Sequence, residues 1–95
     1  MPWTDTTLTI NDTAMDNSEH QNVLFTLAEN IKWQRKRIGL SQEELAFKAN
    51  IDRTFVSKIE RGNANPSLKT LLAIANVLDV PFIQLLTSEE KVNHG

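Results

Sequence analysis

The chain has no cysteine and no tyrosine, and only three glycines and three prolines, among its 95 residues. Without cysteine it forms no disulfide and no thiolate metal site, so we expect one reduced domain in the cytoplasm with a single small core. The longest apolar run, residues 71–75, is far shorter than the roughly 20 residues that cross a bilayer. The N-terminus also lacks a basic segment followed by an apolar run, so we expect neither secretion nor membrane insertion.

Groups that carry catalysis are scarce as well. The two histidines, His20 and His94, lie near the ends of the chain, and no glycine-rich phosphate loop or Ser-His-Asp set is present. Helix capping and solvent exposure account for the adjacent carboxylates Glu43 and Glu44. We therefore expect no enzymatic activity, no metal and no cofactor.

The net charge of −2 conceals an uneven distribution. Residues 1–20 carry four acidic side chains and no Lys or Arg, which leaves the remainder of the chain at +2. Within residues 32–61 there are eight basic and four acidic side chains. Because the Debye length is only about 8 Å in physiological salt, this local excess, and not the total, sets the potential that a phosphate meets.

Residues 41–61 read as two short helices joined by a tight turn. Ser41 and Glu44 have the spacing of a capping box, which predicts a helix beginning at Gln42. Small and apolar side chains at 45, 46 and 49 share one narrow face, against which a second helix can pack closely. Asn50 tolerates the left-handed backbone that ends a helix, so the chain is predicted to turn at Asn50 and Ile51.

The second helix of this pair is predicted from Asp52, as its cap, to about Arg61, and Gly62 ends it. Val56 and Ile59 are expected to face inward. The side chains left facing outward are mostly basic or hydroxylated: Arg53, Thr54, Phe55, Ser57, Lys58 and Arg61.

Three further helices are predicted, which makes the fold all-α with five helices and short connections. The first runs from about Asn22 to Arg37 and ends at Gly39, with Leu24, Leu27, Ala28, Ile31 and Ile38 inward. A fourth helix is capped by Ser67, and its apolar positions are Leu68, Leu71, Leu72, Ala75 and Leu78. The segment VPFIQLL forms a short fifth helix, with Val80, Phe82 and Leu85 inside.

The predicted domain covers residues 22–88. Residues 1–21 are acidic and poor in apolar side chains, so they are predicted to form a disordered tail, and 89–95 form a C-terminal tail. An edge strand at 7–10 in a dimer is an alternative for part of the first tail. That tail is also a candidate site for a protein partner.

Residues 52–62, DRTFVSKIERG, and the NP that follows resemble the recognition helix and the next loop of the XRE family, the lambda-repressor-like helix-turn-helix regulators. The resemblance covers about residues 28–86 and is strongest to restriction-modification controller proteins. Asn50 stands where the family most often has Gly, and Phe55 stands where controllers often have Tyr. The resemblance implies a compact five-helix domain that binds double-stranded DNA and regulates transcription.

The resemblance also implies roles for residues of the recognition helix. Arg53, Thr54 and Lys58 would face bases in the major groove, and Arg53 could donate two hydrogen bonds to guanine. For Thr54 and Lys58 a phosphate contact is the alternative. The residues expected to contact the DNA backbone are Gln42, Phe55, Ser57, Arg61, Asn63 and Asn65. Asn63 and Asn65 could instead form an ordinary turn, and Phe55 could be partly buried against Ile51.

Two further features concern assembly. In the family, the positions of Arg35 and Glu60 form a partly buried ion pair that ties the first helix to the recognition helix. The last two helices carry more apolar surface than a small core needs, notably Ile83 and Leu86, which favours a homodimer on a palindromic operator. The alternatives are that these residues close the monomer core, and that the chain is an antitoxin or another partner-binding module.

Overall fold

The computed structural model describes the backbone of residues 7–87 and the side chains of residues 18–87. In this range the chain forms five helices and no strand: α1 (Thr7–Arg37), α2 (Gln42–Ala49), α3 (Arg53–Glu60), α4 (Leu68–Leu78) and α5 (Phe82–Leu86). The predicted all-α, five-helix architecture is confirmed. No helix within residues 7–87 combines the length and the hydropathy that crossing a membrane requires.

The start of α1 was predicted wrongly. The helix begins at Thr7 and not near Asn22, so residues 7–10 belong to α1 in this structure. No Gly or Pro lies between Pro2 and Gly39, and extending an existing helix gains one hydrogen bond for each residue added. Residues 1–6 and the predicted C-terminal tail, 89–95, lie outside the described residues.

Four helices end in the same way. Gly39, Asn50, Gly62 and Asp79 have φ between 60° and 77° and follow α1, α2, α3 and α4 respectively. At each end the next residue's N–H donates to a carbonyl five residues back, for example Leu40 to Arg35 at 3.0 Å. These are Schellman motifs, which satisfy the terminal carbonyls and reverse the chain within a few residues. The left-handed backbone predicted at Asn50 is confirmed.

The helices pack into one core. Helix α1 contacts α3 and α5, α2 contacts α3 and α4, and α4 contacts α5. The side chains buried in the central cluster are Leu27, Ile31, Leu45, Ala46, Ala49, Val56, Ile59, Leu71, Ile74, Ala75, Leu78 and Leu85.

Three positions predicted to face inward are exposed. Ile38 follows the last residue of α1, where the chain has already turned, and its side chain is exposed. On α4 the buried face is 71, 74, 75 and 78, so Leu68 and Leu72 lie at its margin and are half exposed or more. The apolar run at 71–75 hides the helical period, which is why the prediction selected Leu72 instead of Ile74.

Candidate nucleic-acid interface

The first helix of the α2–α3 pair is held at its start by the predicted capping box. The Ser41 hydroxyl accepts from the Glu44 N–H at 3.0 Å, and the Glu44 carboxylate accepts from the Ser41 N–H at 2.7 Å. The bond from the Ser41 N–H is the main reason that the pKa of Glu44 is lowered. Two otherwise unpaired backbone donors are satisfied, so α2 begins at a defined residue.

Close packing sets the position of α3. The small face of α2 (Leu45, Ala46 and Ala49) is buried, as are Val56 and Ile59 on α3. Asp52 occupies the N-cap position of α3 with an extended backbone, but its side chain makes no capping bond, which corrects the prediction. The fixed angle of α3 therefore comes from apolar packing and from the turn at Asn50.

The outward face of α3 is cationic and hydroxylated. Arg53, Thr54 and Lys58 are exposed, with Thr54 and Lys58 one helical turn apart. Phe55 is only partly exposed and packs against the core cluster, as does Ile51. The alternative of partial burial for Phe55 thus matches the structure, and part of this residue remains exposed.

Two of the residues predicted to contact the DNA backbone contact each other. Arg61 Nη1 donates to Ser57 Oγ across one turn of α3. The hydroxyl proton of Ser57 and the other guanidinium donors of Arg61 remain able to bind an anion. The bond holds the Arg61 side chain along the helix, beside the exposed cationic face.

A buried ion pair ties α1 to the end of α3. Arg35 Nε and Nη2 donate to the two carboxylate oxygens of Glu60 at 2.6 and 2.9 Å, and Nη1 donates to the Leu40 carbonyl at 2.8 Å. The hydrogen bond to Glu60 is the main reason that the pKa of Arg35 is raised. The side chains are 10% and 1% exposed, so this pair is structural and unavailable to a ligand.

Gln42 joins this pair from α2. Its side-chain amide donates to Glu60 Oε1 at 3.0 Å, so three helices meet at one carboxylate. Gln42 was predicted to contact the DNA backbone, whereas the structure directs its side-chain amide nitrogen to the buried Glu60 carboxylate. The N–H at the first position of α2 has no acceptor within the helix itself.

The remaining predicted site residues fall into two groups. Asn63 and Asn65 are exposed in the loop between α3 and α4, close to the end of the recognition helix. Ile83 is 65% exposed, whereas Leu86 is partly buried against the core. Of the two residues predicted for a dimer interface, Ile83 is free for a partner and Leu86 largely closes the monomer core.

Two features of the domain were not predicted from the sequence. Phe47, on the outer side of α2, is 84% exposed, the largest exposure among the large apolar side chains described. Asn30 is buried and bonds to α5. A signal existed for Asn30, because it lies three residues after Leu27 at the edge of the apolar stripe of α1, where a polar side chain must find a partner.

Comparison with known proteins identifies the family of this chain. A family model described as helix-turn-helix (HTH_3) matches residues 31–85, which include all of α2, α3 and α4. The chain belongs to this helix-turn-helix family. That result confirms the resemblance stated from the sequence.

Several relatives in the helix-turn-helix family are regulators by name. The immunity repressor protein of Bacillus phage phi105 is 42% identical over 66 residues, which span 70% of this chain and 45% of that protein. The control protein C.SmaI of Serratia marcescens is 38% identical over 63 residues, 66% of this chain and 75% of that protein. The chain therefore spans less than half of the phage repressor it matches.

Solved structures show the same fold. The restriction-modification controller protein C.AhdI from Aeromonas hydrophila superimposes with a TM-score of 0.64 at 39% identity, over 65% of this chain and 94% of that one. The hypothetical transcription factor NHTF from Neisseria gives a TM-score of 0.72 at 36% identity, over 79% of this chain and 86% of that one. The N-terminal part of α1 precedes the segment that the helix-turn-helix family model matches.

Proposed function

We propose that this chain is a transcriptional regulator that binds double-stranded DNA in a sequence-specific manner. The observation that carries the proposal is the exposed Arg53, Thr54 and Lys58 on a helix held rigidly by close packing and by the Arg35–Glu60 pair. A helix presented in this way fits the major groove, where base edges differ in their donors and acceptors. Membership of the helix-turn-helix family supports the same function.

The residues divide into two roles. Arg53 reads a guanine through two hydrogen bonds, and Thr54 and Lys58 contact neighbouring bases or phosphates. Contacts to the DNA backbone come from the Gln42 N–H, from Ser57 and Arg61, and from the exposed loop asparagines; Phe55 contributes the exposed edge of its ring. These contacts fix the register of α3 on the duplex without reading its sequence.

The active form in this proposal is a homodimer on a palindromic operator. Ile83 is exposed on α5, with Leu86 beside it at the margin of the core. A two-fold axis near α5 would place the two copies of α3 about 34 Å apart, one turn of B-DNA. Each half-site would then meet the same set of side chains.

The test begins with duplexes selected from a random pool by the wild-type chain. Arg53→Ala is expected to cost about 1–3 kcal/mol at one base pair of each half-site and to relax the preference there. Arg61→Ala is expected to weaken all sequences alike and to make the salt slope shallower by about one unit. Lys48→Ala, which removes the same charge from the outer side of α2, is the matched control. It should change neither the base preference nor the slope of log K against log salt.

Two outcomes would contradict the proposal. One is binding that does not fall with salt, since each neutralised phosphate contributes about −0.9 to the slope of log K against log salt. The other is that Arg53→Ala and Arg61→Ala change affinity for all duplexes in the same way.

A second candidate function is a protein-binding module or antitoxin that uses α1. Every side chain from Ser18 to Val23 is exposed, so none of them is buried in the described domain. A helix without a packed face gains little stability of its own, which favours a protein partner there. If Arg53→Ala leaves activity in the cell intact while the fold and any partner complex survive, this candidate replaces DNA recognition.

A further inference from the structure

Asn30 is a buried side chain that the proposed DNA contacts do not use. It is 5% exposed on α1, and its amide nitrogen donates to the carbonyls of Leu85 at 2.8 Å and Thr87 at 2.9 Å, with the Gln84 carbonyl at 3.4 Å. All three acceptors belong to the end of α5. One side chain of α1 therefore donates hydrogen bonds to the carbonyl groups at the end of α5.

Helix α5 depends on such an anchor. It has five residues, little more than one turn, and a helix of that length does not persist by its own hydrogen bonds. Leu85 is fully buried and fixes one side of α5, while Ile83 projects outward. The bonds from Asn30 hold the free end of α5, and therefore also fix the direction in which Ile83 points.

Helix α1 also holds α3. Arg35 lies five residues after Asn30 on α1, an axial separation of about 7.5 Å, and binds Glu60 at the end of the recognition helix. Both anchors lie on one continuous stretch of α1 without Gly or Pro. The orientation of α5 relative to α3 is thus set through a short, stiff segment with a polar anchor at each end.

We propose that Asn30 is a positioning residue that sets the spacing between the two recognition helices of the dimer by clamping α5 to α1. The inference rests on the proposed function, in which α5 lies at the two-fold axis. A rotation of α5 at that axis displaces α3, which lies farther out, by a larger distance. Loss of the clamp should therefore broaden the range of half-site spacings that the dimer binds. The contacts that each α3 makes with its half-site should stay the same.

The experiment uses the full chain and the duplexes selected by the wild type. One series changes the distance between half-sites in steps of one base pair, and another duplex carries a single half-site. For Asn30→Ala we expect about a tenfold loss of preference for the selected spacing and a weaker dimer in sedimentation. Affinity for the single half-site should stay within about twofold of the wild type, because α3 is unchanged. Asn22→Ala, an exposed position on the same helix, is the control.

Three results would overturn the inference: an unchanged spacing preference, an equal loss of affinity for the single half-site and the palindrome, or a control that behaves like Asn30→Ala. If circular dichroism shows Asn30→Ala to be unfolded, Asn30→Gln is measured, since it keeps the amide and moves it by one methylene. A shifted spacing optimum in Asn30→Gln would support the clamp, and an unaltered optimum would reject it. A wild type that is monomeric or does not select a palindrome removes the proposed dimer itself, and that failure is visible before any substitution is made.

Discussion

The ion pair between Arg35 and Glu60 should be strongly cooperative. Replacing Arg35 by Met leaves the Glu60 carboxylate, 1% exposed, with only the Gln42 amide as a described partner. Replacing Glu60 by Leu leaves a guanidinium, 10% exposed, with only the Leu40 carbonyl. Each single change should cost about 3–5 kcal/mol, because it leaves an uncompensated buried charge. The double replacement should cost much less than the sum and could equal the wild type, since it removes both desolvation penalties.

The assay is thermal and urea unfolding followed by far-UV circular dichroism. At about 4–8 °C per kcal/mol for a domain of this size, each single variant should melt about 12–40 °C lower. Arg37→Met is the matched control: that exposed side chain lies over the Trp33 ring at 5.8 Å and donates a hydrogen bond to Gln34, so its loss should cost about 1 kcal/mol or less. The reasoning is refuted if Arg35→Met costs no more than Arg37→Met, or if the two single costs simply add in the double variant.

Two further predictions concern helix ends. Gly62→Ala should destabilise by about 1–3 kcal/mol, since φ is +74° and the new Cβ would lie 2.8 Å from the Phe25 ring, whereas Gly39→Ala meets open space at φ +77° and should cost less. Melting temperatures of the two variants compare them directly, and equal costs would show that the Phe25 contact is irrelevant. The pKa of Glu44 is lowered in the folded state, so its contribution to stability is present above its unfolded pKa and is lost as the pH falls through the folded value. Glu44→Gln should therefore flatten the loss of stability on acidification, measured by urea unfolding at several pH values.

Much of the α2–α3 pair could be predicted from the sequence because its determinants are local. A capping box links residues three apart, and Asn50 accepts a left-handed backbone by virtue of its own side chain. The inward positions of α2 and α3 follow from helical periodicity over two short segments. The same is true of Ser67 at the start of α4, whose hydroxyl accepts from Thr70 N–H at 3.1 Å.

Predictions failed where periodicity was hidden or the competing states were close in energy. The apolar run at 71–75 offers more than one buried face, and only packing against α2 and α5 selects the one that contains Ile74. Residues 7–21 are so polar that they were predicted to form a tail. The structure extends α1 through them, because each residue adds a hydrogen bond to a helix that the core already anchors.

The sequence alone was sufficient to predict five helices, the caps at Ser41 and Ser67, the turn at Asn50, and a cationic second helix in a helix-turn-helix pair. The tertiary fold set the partners of the side-chain amides, because such contacts depend on how helices cross and not on spacing along the chain. It directed Gln42 to Glu60, 18 positions away in sequence, and Asn30 to the end of α5. A side-chain amide can pair with almost any polar group, so its partner is chosen by the packing that brings the two together.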